Sequence, residues 1–366
     1  MKGKYKLLVI NPGSTSTKMA VCESGETLSS VSIPHPVEEL RAFISIWDQY
    51  DYRRSSILGE LEKTGIDLGS FDCVVCRGGN TAPVPGGIYI ISEPALEAMK
   101  SGKYGTHPTA VGNQIGFDLG RELGIPAVSC DPPVTDEMCE SARFSGLPQI
   151  MRQSSFHALN QKATARNVAA LLGRTYEEIN MVVAHIGGGI SVGAHKAGRI
   201  IDVNNALDGD GPFSPERAGT LPAGSLIDMC FSGRYTRQEM RRLITGGGGL
   251  VAHLGTSSMR DALERAANGD DHARAVCDAM IYQVIKEIGS MACVLSGKVD
   301  AIALTGSIVY SDYVVDYIKE RVSFIAPIYI MPGQNEMDAL RDGALRFLRG
   351  EEQAMTYEPG RGLEDN

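Results

Sequence analysis

The sequence predicts an α/β protein of two domains built on one duplicated plan, and three observations carry that prediction. Residues 7–21 read LLVINPGSTSTKMAV: four apolar residues, a tight Asn-Pro-Gly-Ser turn, then polar–apolar alternation through Met19 and Val21, the pattern of a strand–turn–strand hairpin. Residues 181–195, MVVAHIGGGISVGAH, repeat the device around Gly187, Gly188 and Gly189, and a third strand-to-glycine junction, AIALTGSIVYSD, stands at 301–312. The third observation is length, since 366 residues exceed what one small core organises. Hairpins half a chain apart indicate an internal duplication, and turns of small residues suit phosphate oxygens, so a nucleotide between the two halves is expected. The halves divide at 1–150 and 151–334.

Composition bounds the function. A hydrophobic share of 43% with 22% charged residues describes a soluble globular chain. A net charge of −9 disfavours a nucleic-acid partner, yet leaves room for a local cationic pocket. No leader pattern opens the chain and no apolar run approaches the roughly 18 residues that span a bilayer, so a cytoplasmic protein with no membrane partner is expected. Eight cysteines in so long a chain do not make a disulfide scaffold. Cys73 and Cys76 are spaced as CxxC, but they sit in the strand pattern FDCVVC without a second pair, which favours core packing over metal or redox chemistry.

Residues 34–50 carry Val37, Leu40, Ile44 and Trp47 at helical spacing, and 53–64 reads as helix too. A strand over 71–76 delivers Arg77 beside Gly78 and Gly79. An arginine so placed either faces a crevice or makes an interdomain salt bridge, and the residues alone leave both open. Helices follow at 93–100 and 109–123, the second entered through His107 and Pro108. A strand at 126–129 ends near Asp131, where open α/β sheets place active-site groups and where a turn-forming Asp before Pro is equally at home. A helix over 154–173 opens the second half, and a strand at 200–203 follows the glycine-rich hairpin. The connection at 204–222, NNALDGDGPFSPERAGTLP, carries Arg217 and is about twice as long as most, a mark of functional loops. Helices are expected at 221–232, 237–243, 257–267 and 271–295, with a flexible loop at Gly246 to Gly249. A strand from 299 enters the third junction, a helix spans 310–322, a strand 325–331, and Asn335 and Glu336 open the final helix.

Neither GxxxxGK[ST] nor GxGxxG is present, so hairpin turns would have to hold phosphates. In the first turn the hydroxyls of Ser14 and Ser16 and the ammonium of Lys18 suit that task, although a solvated hairpin uses the same residues. Asn11, Arg77, His107, Asp131, His185, Arg217 and Glu336 each stand at a strand end or in a glycine-rich loop. Together they fit phosphoryl transfer, which needs cations around the phosphoryl oxygens, a carboxylate or amide near Mg²⁺, and no obligatory covalent nucleophile.

These residues lie in seven motifs, VINPGSTSTK, VVCRGG, THPTAVG, HIGGGISVGAH, GPFSPERAGTLP, ALTGSI and PGQNEMDALRDGALRF. In that order, over nearly the whole chain, they resemble the acetate and butyrate kinase family of the sugar kinase/Hsp70/actin superfamily, nearest to its butyrate-kinase members. The resemblance implies two actin-like (ribonuclease H-like) domains with the nucleotide in the cleft, and a C-terminal helix, at about 335–366, returning to the first domain. It implies ATP as co-substrate, Mg²⁺, a short-chain carboxylate such as butanoate, and a homodimer or higher homo-oligomer. By the same resemblance Arg77 and Arg217 grip the carboxylate and the phosphoryl group, His185 stabilises that group, Asp131 sits by the carboxylate with the metal, and His107 supports. Asn11 and Glu336 lie by Mg²⁺, while Gly187, Gly188, Gly189, Thr305, Gly306 and Ser307 hold the nucleotide.

The chain departs from the acetate-specific members where chain length is chosen. Those carry a bulkier residue two places after the strand-end arginine and an aromatic before the histidine of the glycine-rich hairpin; here the positions hold Gly79 and Ala184. The two small residues imply a wider pocket, and since each buried methylene contributes about 0.8 kcal/mol, a graded preference for four- and five-carbon acids. A propanoate or acetate kinase, a sugar kinase, and an ATPase without a carboxylate acceptor are the competing readings; the arginine pair argues against the last two.

Overall fold

The computed structural model describes residues 4–333 and 335–359. Gln334 of the last motif and residues 360–366 of the expected returning segment lie outside the described residues. The chain forms two compact units, Met1–Thr135 with Asn335–Asn366, and Asp136–Gln334. The break therefore follows Thr135, whereas the sequence placed it after 150. The reason is packing: Met138 and Ala142 are buried with Ile200 and Val203, and the Cys139 N–H donates to the Ile201 carbonyl.

The first unit opens with β1 (Lys6–Pro12), β2 (Ser16–Glu23) and β3 (Glu26–Pro34), an antiparallel meander. Leu7 to Ile10 are buried on both faces of β1, as befits a central strand with β2 on one side. β3 was absent from the sequence reading because Ser and Thr fill it and most of it is exposed, so it lacks an apolar signal. The helix expected over 34–50 is instead α1 (Val37–Leu40) and a 3₁₀ turn, Ile46–Gln49, started by a capping box of Ser45 and Asp48. Ile44, counted on its apolar face, is fully exposed.

Then come α2 (Tyr50–Thr64), β4 (Cys73–Cys76), β5 (Ile88–Ile90), α3 (Glu93–Lys100), α4 (Thr109–Leu123) and β6 (Ala127–Cys130). Cys73 and Cys76 are buried and burial pushes both thiols up, which suits packing rather than thiolate chemistry.

The second unit contains α5 (Glu140–Arg143), α6 (Ala158–Leu171), β7 (Asn180–Ile186), β8 (Ile190–Lys196) and β9 (Arg199–Val203). Next are α7 (Ala223–Phe231), α8 (Arg237–Thr245), α9 (Gly249–Leu254), α10 (Met259–Ala267) and α11 (Asp271–Val294), then β10 (Ala301–Gly306), α12 (Asp312–Val322) and β11 (Ile328–Pro332). Its sheet runs β11-β10-β7-β8-β9. One face packs on α11 through Val182, Ala184, Ile186, Met280, Val284 and Ile288; the other packs on α6 through Met181, Val183, Ala165 and Val168.

The chain returns to the first unit as α13 (Glu336–Leu348) and β12 (Met355–Thr356), which gives the order β12-β5-β6-β4-β1-β2-β3. α13 buries Ala339, Leu340, Gly343, Ala344 and Leu345. On α4, glycine lets helix and sheet approach closely: a Cβ at Gly116 would lie 2.4 Å from the Cys76 sulfur, and one at Gly112 would lie 2.5 Å from the Pro12 ring. Gly59 on α2 has nothing within 4 Å of the same position. Alanine gains about 1 kcal/mol of helix propensity at either site, but at Gly116 overpacking of about 1–3 kcal/mol opposes it. Gly59→Ala should therefore raise, and Gly116→Ala lower, the midpoint of equilibrium urea unfolding.

Candidate active site

In the first unit the ends of β1 and β4 and the start of α13 meet. The Arg77 Nη1 lies 2.8 Å from Glu336 Oε1, and Asn11 Nδ2 donates to Glu336 Oε2 at 2.9 Å, across 325 residues of sequence. Asn113 on α4 fixes the base of Arg77: its Nδ2 donates to the Arg77 and Thr109 carbonyls, both at 2.8 Å. Three expected site residues, Asn11, Arg77 and Glu336, thus form one polar cluster. His107 lies near it, its pKa lowered by burial first and then by the Arg77 and Arg53 charges, so the ring is neutral at pH 7. Its Nδ1 accepts from the Thr109 N–H at 3.3 Å, which leaves the ring hydrogen on Nε2.

Asp131 is buried, has a positive φ of 39°, and accepts the Gly87 N–H on Oδ1 at 2.8 Å. Its carboxylate thus holds the Gly87 loop, 44 residues earlier in the chain.

Gly78 and Gly79, which follow Arg77, line an apolar cavity of about 20 Å³ together with residues that include Ile91, Ala95, Met99, Asn113 and Tyr357. A Cβ on Gly79 would lie 2.6 Å from the Met99 sulfur, so the missing side chain gives its space to Met99. Gly79 lines this cavity; Ala184 corrects the sequence reading. It belongs to the core cluster with Val192 and Leu304, because adjacent residues of a strand face opposite ways and β7 turns His185, not Ala184, to the other face.

The first hairpin turn is held from behind by a charge that sequence reasoning missed. Arg53, fully buried on α2, donates to the carbonyls of Ser14 and Ser16 at 3.2 and 3.4 Å and to Thr17 Oγ1 at 3.0 Å. Ser14 and Lys18 are exposed in front of it. The sequence reading placed Arg53 only at the start of an expected helix.

In the second unit the two glycine junctions lie side by side. Gly306 has φ 99° and packs where a Cβ would meet the Ile186 carbonyl at 2.3 Å, one residue before Gly187. Gly306 and Gly333 exchange backbone hydrogen bonds of 3.1 and 2.9 Å, and Thr305 Oγ1 donates to the Gly333 carbonyl. Ser307 is exposed at the start of a 3₁₀ turn. The hairpin turn closes by the Gly187 N–H donating to the Gly189 carbonyl at 3.1 Å, with Gly188 outermost and anchored by Ser214 Oγ at 2.7 Å. Arg217 lies against it: a Cβ on Gly189 would stand 2.2 Å from Nη1, and that nitrogen donates to the Ala206 carbonyl.

His185 is fully buried and its Nδ1 lies 2.7 Å from Asn160 Oδ1. Burial, then the His157 and Arg217 charges, drive its pKa well below the usual range. With Nδ1–H spent on Asn160, the neutral ring has a lone pair on Nε2, which does not suit the phosphoryl-stabilising role expected of it. Its stacking partner is His157, ring centroids 3.7 Å apart at 12°. Sequence reasoning passed over His157 because SSFHAL reads as an ordinary helix entry; the expected helix began at 154, but α6 starts only at Ala158 and leaves His157 in the preceding loop.

Residues 146–335 match the model of the acetokinase family. Butyrate kinase 2 of Clostridium acetobutylicum is 50% identical over 354 residues, 97% of this chain and 99% of that one. The probable butyrate kinase of Clostridium botulinum (strain Alaska E43 / Type E3) is 47% identical over 96% of this chain and 99% of its own length. Among solved structures, acetate kinase from Entamoeba histolytica superposes with a TM-score of 0.74 at 17% identity, over 93% of this chain and 99% of that one, a likeness of fold. That fold is the actin-like α/β architecture of two domains which the motifs imply. The chain belongs to the acetokinase family.

Proposed function

We propose that the chain is an ATP-dependent kinase of short-chain carboxylates, which moves a phosphoryl group reversibly between ATP and butanoate or a branched acid of similar length. The observation that carries the reading is the Arg77, Asn11 and Glu336 cluster, in which Arg77 directly precedes the Gly78 and Gly79 that line an apolar cavity. A forked guanidinium recognises a carboxylate, and the apolar lining would face its alkyl chain once Met99 gives up the space beside Gly79. A carboxylate is already nucleophilic at pH 7, so no strong base is needed and Asp131, tied to Gly87, serves to shape the site. In the second unit the turn of Gly187, Gly188 and Gly189 and the junction of Thr305, Gly306 and Ser307 suit the nucleotide, and in the first unit the turn with Ser14, Ser16 and Lys18 suits an anion. Arg217 and His157 meet the charge on the phosphoryl group; His185 supports His157 by stacking.

Mg²⁺ fits the donor set. Hard cations of this size take oxygen ligands, keep several waters and bind through one or two carboxylates together with substrate phosphates. Glu336 and Asn11 supply such oxygens, and the described residues contain no cluster of three or more His, Cys, Asp or Glu that would make an all-protein cage. The ion would neutralise phosphate charge, while Glu336 and Asn11 hold its waters.

A homo-oligomer is supported by α7, which buries no residue while exposing Ile227, Met229 and Phe231; no described helix is long and apolar enough to cross a membrane. The occupant of that face is a second copy. Light scattering should give at least twice 39.2 kDa, and Phe231→Asp should shift the mass towards a monomer.

Hydroxamate trapping with Mg-ATP tests the reaction, since only an acyl phosphate forms hydroxamate. Arg77→Ala should lower kcat/KM for butanoate by about 10²–10³. If every acid is inert while ATP is still hydrolysed, the enzyme class is wrong. The wild type should rank butanoate and isobutanoate above propanoate and acetate. Met99→Ala should move the optimum to longer acids and Gly79→Val to shorter ones; an unchanged ranking in both would separate the cavity from the acyl chain.

A further inference from the structure

A buried chain of hydrogen bonds runs behind His157. The Tyr176 hydroxyl lies 2.8 Å from His195 Nδ1, His195 Nε2 lies 3.0 Å from Gln161 Oε1, Gln161 Nε2 lies 2.8 Å from Ser191 Oγ, and Ser191 Oγ lies 2.9 Å from His157 Nδ1. Gln161, Ser191 and His195 are fully buried, and Tyr176 nearly so.

One contact fixes the directions at Gln161 and His195. Gln161 Nε2 also lies 3.1 Å from the Ser191 carbonyl, which only accepts, so the amide nitrogen faces Ser191 and Oε1 faces His195. Oε1 only accepts, so His195 carries its hydrogen on Nε2. Its Nδ1 then accepts from the Tyr176 O–H. At the other end the second Gln161 hydrogen goes to Ser191 Oγ, and the fully buried Ser191 hydroxyl spends its own hydrogen on His157 Nδ1. His157 therefore accepts at Nδ1 and holds its hydrogen at Nε2. Burial keeps His195 neutral, as the chain requires.

We propose that Tyr176, His195, Gln161 and Ser191 are positioning residues that fix the neutral His157 ring as its Nε2–H tautomer, and so keep it a hydrogen-bond donor for the phosphoryl group. Two histidines stacked at 3.7 Å then carry opposite tautomers, since Asn160 holds the hydrogen of His185 on Nδ1. The tautomer stands on the geometry alone; its effect on transfer rests on the carboxylate-kinase reading.

The test is ¹⁵N NMR of protein labelled at its histidines, with His157 assigned from a His157→Gln sample, beside steady-state kinetics. The expected wild-type result is a protonated Nε2 and an unprotonated Nδ1 at His157. Ser191→Ala should mix the tautomers and lower kcat about 10- to 100-fold, as loss of a ring-orienting partner does, with little change in KM for ATP. Ser191→Thr, which keeps the hydroxyl, should restore the wild-type tautomer and most of kcat, and Tyr176→Phe should give a smaller loss in the same direction. A wild-type His157 protonated on Nδ1, or a Ser191→Ala protein that folds with tautomer and kcat unchanged, overturns the proposal. If the tautomer behaves as stated while no acid is phosphorylated, the positioning stands and the functional reading falls.

Discussion

A strand covered on both faces must satisfy two unlike neighbours with alternate residues, and β7 is such a strand. Val182, Ala184 and Ile186 go to α11 in the apolar core; Met181, Val183 and His185 go to the α6 side. The polar apparatus of the second unit follows from that division. A buried imidazole without a partner would be costly, so α6 answers with Asn160, and the neighbouring Gln161 and the preceding His157 complete the cluster. Moving the register of β7 by one residue would bury His185 in the core and bring Ala184 out, exchanging site for packing in one step.

The same alternation explains what the sequence disclosed and what it hid. Strand-to-glycine junctions were legible because apolar runs end sharply at small residues, and the structure sets Gly306 against Ile186 next to Gly187. Arg77, Asn11 and Glu336 were legible as residues at element ends, although nothing local joins positions so far apart. Ala184 was assigned to the wrong face, and the signal for the right one was available: it adjoins His185 in a strand, so the two do not share a wall. His157 was hidden because its importance is tertiary, made by a ring stacked on it from another element. β3 was hidden because an exposed edge strand of serines and threonines has no apolar period to read.

Arg53 adds a different lesson about charge. A fully buried guanidinium is expensive to desolvate, and this one is met by carbonyls, a hydroxyl and the Gln49 side chain; no carboxylate lies within ion-pair distance among the described residues. The Ser14 to Ser16 turn thus has carbonyl dipoles pinned inward and a positive charge behind it, while its exposed side faces solvent. Charge placed there is felt by any anion at the turn, and by His35, whose pKa burial and Arg53 together lower to about 4.

The first unit is discontinuous in sequence. Its sheet edge at β5 acquires β12, and its polar cluster acquires Glu336, only from the far side of the second unit. During synthesis, then, residues 1–135 emerge first but are finished last: they must wait, with an open sheet edge and an Arg77 lacking its carboxylate, until about 200 further residues have been made and the second unit is free to fold. The usual order of domain maturation along a nascent chain is reversed here by the path of one helix.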